Sequence, residues 1–187
     1  EDTSMLSRAR FLAQRNETAV VLPSGSRIAV SFQRSAGAGD RRQAGQVNHA
    51  LNVDGPDFAR LSIAAPDSVI LLTDSPVPRL RTEVPLKFGQ TSLPIGNQTA
   101  GFPGSYGLWL KKVSSGWRLV FNEQPDAWGS QHDPKHDVGE AVLSHAEGQG
   151  AQRPFAVALE PGPNGRGRLV IIWGTHEWTA DFAVATS

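Results

Sequence analysis

Short apolar stretches, in which hydrophobic and polar residues alternate, follow one another along the chain, broken roughly every ten residues by glycine, proline or small polar residues. Two such stretches, 17–22 and 27–33, flank Pro23-Ser24-Gly25, where glycine supplies the positive φ of a tight turn, so they predict a hairpin. Residues 34–46 have little to bury and predict a surface loop, with a cationic spot at Arg41 and Arg42. Between 47 and 88 the pattern predicts strands over 47–53, 58–64, 68–73 and 79–88. In the last of these Leu80, Thr82, Val84 and Leu86 share a face, and Pro85 interrupts it as an edge strand or a bulge would allow. Residues 89–104 read as a long connection.

The clearest alternation begins at Gly104. Tyr106, Leu108 and Leu110 share one face of a strand, residues 113–116 form a turn, and Trp117, Leu119 and Phe121 share one face of the returning strand. These six predict one wall of the core. Trp109 points the other way, either beneath another element or into an exposed patch. Residues 123–136, EQPDAWGSQHDPKH, form a polar loop around one large aromatic, Trp128. Alternation resumes from Asp137 through Leu143 and His145, again through Phe155, Val157 and Leu159, and closes with 169–173 and 178–184 after a turn at 161–167. About ten or more strands at turn spacing predict an all-β protein, an antiparallel β-sandwich over 17–187 with an open barrel as second choice. Met5, Leu6, Ala9 and Leu12 stand at helical spacing behind Ser4, so 1–16 is expected as an N-terminal arm with a short helix.

Composition narrows the function classes. A length of 187 residues suits one domain. Lys plus Arg equals Asp plus Glu at 18 each, so no field draws in nucleic acid, and none is expected as a partner. The longest apolar runs, 69–72 and 169–173, fall far short of the ~20 residues that cross a bilayer, so no transmembrane segment is expected. Absence of cysteine excludes disulfides, thiolate metal sites and a cysteine nucleophile. The start at Glu1, with neither a basic n-region nor an apolar h-region, sets the expectation of an exported protein, periplasmic or of the cell envelope, with its signal peptide removed.

The C-terminal half resembles a known family. The likeness is carried by Leu93-Pro94, by Gly104-Ser105-Tyr106-Gly107-Leu108-Trp109, by Trp117 to Asn122, by Trp128-Gly129, by His132-Asp133 with Asp137-Val138, and by Trp173. Over residues 93–185 these are similar in order and spacing to DUF2911, small bacterial proteins of the cell envelope without an established activity. The resemblance implies a shared β fold. The chain departs from it at His132, where the family tends to have tyrosine, at Glu140, where it tends to have arginine, and throughout the N-terminal half.

The densest candidate chemistry is His132-Asp133-Pro134-Lys135-His136-Asp137. His132, His136 and Asp137 have the donor types for a divalent transition metal. Pro134 breaks the helix that a metalloprotease His pair needs, and the favoured reading is an Asp-Pro turn with Asp137 tying down the loop. Gly104-Ser105-Tyr106-Gly107 half resembles a nucleophile elbow, but a strand rather than a helix follows. Trp128, Trp109 and Tyr106 are candidates for an aromatic platform under a sugar or peptide. His49, His145 and His176 join a site only through the fold. The expected function is a non-catalytic binding module for a carbohydrate, peptide or envelope partner, with no resident cofactor. The alternative is a metal-dependent hydrolase using His132, His136 and Asp137, with Asp133 as base or supporting carboxylate.

Overall fold

The computed structural model describes residues 16–33, 35, 49–73, 75–95 and 104–185. The expected helix over 4–15 and the loop with Arg41 and Arg42 lie outside them. Twelve strands among the described residues run as β1 Asn16–Val21, β2 Arg27–Phe32, β3 Ser68–Val69, β4 Arg79–Thr82, β5 Leu86–Phe88, β6 Thr91–Leu93, β7 Ser105–Val113, β8 Gly116–Asn122, β9 Asp137–Glu147, β10 Arg153–Pro161, β11 Arg166–Gly174 and β12 His176–Val184. All pairings are antiparallel, in the order β1-β2-β4-β7-β8-β9-β12-β11-β10, with β3 beside β7 and the β5–β6 hairpin beside β12.

The path curls on itself into a nearly closed, barrel-like sheet. β9 makes this possible by changing partner along its length: Asp137–Leu143 pairs with β8, and Ser144–Glu147 pairs with β12. The two ends of the path, β1 and β10, then meet, and the Leu159 amide donates to the Thr18 hydroxyl at 3.3 Å. The inward faces supply the core, including Ile28, Val30, Leu80, Tyr106, Leu108, Trp117, Leu119, Phe121, Leu143, Phe155, Val157, Ile171, Trp173 and Trp178. Burial of that many large apolar side chains, each worth about 1.5–3 kcal/mol, is what drives the curl. Five of the six expected wall residues are buried, and Leu110 is partly buried against the same core.

The region before β4 departs from expectation. Residues 58–64 form not a strand but most of helix α1, Pro56–Ile63. Pro56 sits in its first turn, where a missing N–H costs nothing, and Leu61 turns inward. The buried Asp57 carboxylate receives the Thr73 amide at 2.8 Å and the Arg60 guanidinium at 3.2 Å. Phe58 packs edge-on against Trp173, with ring centroids 5.5 Å apart. In place of a strand over 47–53 there is a single 3₁₀ turn, His49–Leu51, whose Leu51 carbonyl accepts the Trp173 indole N–H at 2.7 Å. The stretch 68–73 pairs as a strand only at Ser68–Val69, and 79–88 is divided into β4 and β5 around Pro85. Within the expected connection 89–104, β6 forms beside β5.

Candidate functional site

The loop between β8 and β9 is organised by Asn122, a polar residue only 1% exposed. Its side-chain amide donates to the Asp133 carbonyl at 3.0 Å and to Asp137 Oδ1 at 2.8 Å, and its side-chain oxygen accepts the Gln124 amide at 2.9 Å. A register shift at Phe121/Asn122 skips Val138 and sets Asp137 opposite Asn122. Asp133 caps the short 3₁₀ turn Pro134–His136 by accepting the Lys135 amide at 3.0 Å, so an Asp-Pro turn does form.

The loop histidines are held by different carboxylates. His132 Nε2 lies 2.9 Å from Asp137 Oδ1, and the ring packs on Trp109 with centroids 4.8 Å apart. His136 Nδ1 lies 2.6 Å from Glu123 Oε1, while its Nε2 is 3.8 Å from Asp133 Oδ2. The potential metal donors are therefore arranged as two imidazole–carboxylate pairs. Among the described residues no group of three or more His, Asp or Glu is placed to hold a metal ion.

The three aromatic candidates are not equivalent. Tyr106 is fully buried and its hydroxyl donates to the Pro94 carbonyl. Trp109 is 2% exposed, in a small second cluster with Val77 and Val120 on the outer face of β7 and β8, beneath the loop. Its indole N–H is buried without a hydrogen-bond partner. Trp128 alone of the three is only half-buried. Its backbone is pinned: Trp128 bridges Pro76, the Gly129 amide donates to the Ser75 carbonyl at 2.7 Å, and the Leu72 amide donates to the Gly129 carbonyl at 2.8 Å. A Cβ at Gly129 would sit 2.5 Å from the Leu72 Cβ, so only glycine lets the two segments approach this closely. Arg79 bridges Asp126 at 2.9 Å from the neighbouring strand.

The fold also assembles a histidine pair that no sequence spacing showed. β9 and β12 pair His145 with Trp178 and Glu147 with His176. His145 Nε2 and His176 Nδ1 come to 3.0 Å, with ring centroids 5.2 Å apart and planes within 19°, so the imidazoles meet edge to edge. The Trp178 indole lies parallel to both, 5.3 Å from each centroid. Glu147 Oε1 is 3.8 Å from His176 Nε2 on the other side of that ring. Partial burial first, then the adjacent His176, holds His145 below the ordinary imidazole value, against the pull of Glu147. The sequence signal for this pair was the alternation of both strands. Only the register could turn it into a contact.

A family model described as "Protein of unknown function (DUF2911)" matches residues 84–182, in agreement with the resemblance seen in the C-terminal half. No curated protein and no solved structure matches the chain. The matched segment runs from just before β5 to within β12 and contains both histidine pairs, whereas β1 to β4 and α1 lie outside it.

Proposed function

We propose, for a chain that belongs to the DUF2911 family of proteins of unknown function, that it is a non-catalytic binding module whose ligand face is the β8–β9 loop around Trp128. The observation that carries this reading is the pinning of Trp128: a half-buried indole on a loop whose backbone is tied to residues 72–76 on both sides. A backbone held in place before the ligand arrives leaves only the side chain's two χ angles to order on binding, which is how a rigidly mounted aromatic gains affinity. Asp126, Gln131 and Asp133 of the same loop are polar residues of the kind that hold sugar hydroxyls. A carbohydrate is therefore the favoured ligand. The metal-dependent hydrolase draws less support, because the imidazoles it would use lean on separate carboxylates. An exported, envelope setting is part of the proposal on family resemblance, and cell fractionation tests it.

The test is a titration of ¹⁵N-labelled protein with soluble chito- and gluco-oligosaccharides, the Trp128 indole resonance being assigned through Trp128→Phe. Saturable movement of that resonance and of the amides of 124–133, abolished in Trp128→Ala, is expected. If saccharides leave every loop resonance in place while an envelope peptide moves them, the ligand class is wrong. If nothing moves them, the loop is not the binding face.

A further inference from the structure

We propose that His145 and His176 form a two-imidazole site for a late first-row divalent cation, with Cu²⁺ bound most tightly. The pair lies on the β9–β12 ladder, apart from the Trp128 loop and independent of what that loop binds. Its geometry is close to that of two ligands on one ion. Metal–imidazole bonds are about 2.0 Å, so two nitrogens on one ion stand about 2.8 Å apart at a right angle and about 3.3 Å apart at the tetrahedral angle. The observed 3.0 Å between His145 Nε2 and His176 Nδ1 falls in that interval. At present the two nitrogens share a hydrogen bond. An ion about 2.0 Å from both nitrogens lies about 35–45° off the N···N line at each, so both rings, His176 as well as the exposed His145, turn by about that angle to aim their lone pairs at it.

The surroundings fit the same role. Glu147 Oε1 near His176 Nε2 favours the tautomer with its proton on Nε2, which leaves Nδ1 bare for an ion. Once His145 carries its own proton on Nδ1, both facing nitrogens present lone pairs and no net proton is lost. The Trp178 indole fixes the plane of both rings from one side, and Phe58 flanks His176 with centroids 5.9 Å apart. An ion would complete its coordination with water at the solvent edge, where His145 is exposed. Neutral imidazoles are borderline donors, and the ordinary order of affinities puts Cu²⁺ above Ni²⁺ and Zn²⁺.

The experiment is a Cu²⁺ titration of the full chain by calorimetry, with an electron paramagnetic resonance spectrum at one equivalent. Expected are one saturable site with Kd below about 100 µM and hyperfine structure from two nitrogens. His145→Gln and His176→Gln should each weaken binding by about tenfold or more and remove one nitrogen from the spectrum. His132→Ala/His136→Ala should change neither. Thermal unfolding without metal confirms that each variant is folded. Binding that survives both glutamine variants, binding that disappears in the loop double variant, or no saturable site in the wild type overturns the proposal.

Discussion

Two histidine pairs in this molecule teach opposite lessons about spacing. His132 and His136 are four residues apart in sequence, yet one holds Asp137 and the other Glu123. His145 and His176 are 31 residues apart with β10 and β11 between them, yet their nitrogens lie 3.0 Å apart. In the loop, nearness along the chain is consumed by turn-making: Pro134 and the Asp133 cap send the two side chains to different partners. On the sheet, a shared ladder does the opposite, since antiparallel register makes His145 and His176 diagonal neighbours on one face, each two residues from the other's cross-strand partner.

The most severe way to break this contrast is Asn122→Ala. It removes three hydrogen bonds from a buried position: the Gln124 amide loses its acceptor, the Asp133 carbonyl keeps the His136 amide, and Asp137 Oδ1 keeps His132. A loss of about 3 kcal/mol in chemical denaturation is expected. The amides of 123–137 should exchange faster with solvent, while Cu²⁺ affinity at the strand pair stays as in the wild type. A matching loss at His145 and His176 would show that the two regions are coupled rather than separately built.

A finer break lies within the loop pair. The His132 side chain is 11% exposed, packed on Trp109 and bonded to Asp137, whereas that of His136 is 37% exposed. His132→Ala should therefore cost about 1.5–2 kcal/mol, and His136→Ala less than about 0.5 kcal/mol, measured by urea unfolding at neutral pH. Equal costs would mean that the Trp109 contact contributes nothing beyond the bond to Asp137.

The legible and illegible parts of the chain divide along the same line. Where one face of a strand meets the core, as at Tyr106, Leu108, Trp117, Leu119 and Phe121, the period-2 pattern alone placed the residues. The Asp-Pro turn was readable because its chemistry is local. Residues 58–64 mislead because Leu61 and Ile63 stand at strand spacing while Phe58 and Leu61 stand at helical spacing, and so short a run does not decide between them. What decides for helix is tertiary: Asp57 buried on Thr73 and Arg60, and Phe58 against Trp173. Trp109 was correctly turned away from the core wall, but burial beneath the loop depends on where the loop folds back, which only Gly129 hints at. The curl into a barrel-like sheet rests on β9 exchanging β8 for β12, and no single strand's pattern records a change of partner.

A third pair tests how far register alone can go when burial does not help. Lys111 on β7 reaches across β8 to Glu140 on β9, 2.7 Å from Nζ to Oε1, on a partly exposed face. The hydrogen bond to Glu140, partly offset by burial, raises the lysine above its ordinary value of 10.5. A raised lysine means that the folded state holds its proton more tightly than the unfolded chain does. Its contribution is complete below pH 10.5 and is lost as pH rises through the folded value. Glu140→Gln should accordingly cost less than about 1 kcal/mol at neutral pH, a modest effect because solvent screens the pair. Unfolding curves of wild type and variant should converge once Lys111 has titrated. A deficit that persists beyond that point would mean that Glu140 acts through its packing and its place beside Thr91, whose hydroxyl donates to the Glu140 carbonyl, rather than through charge.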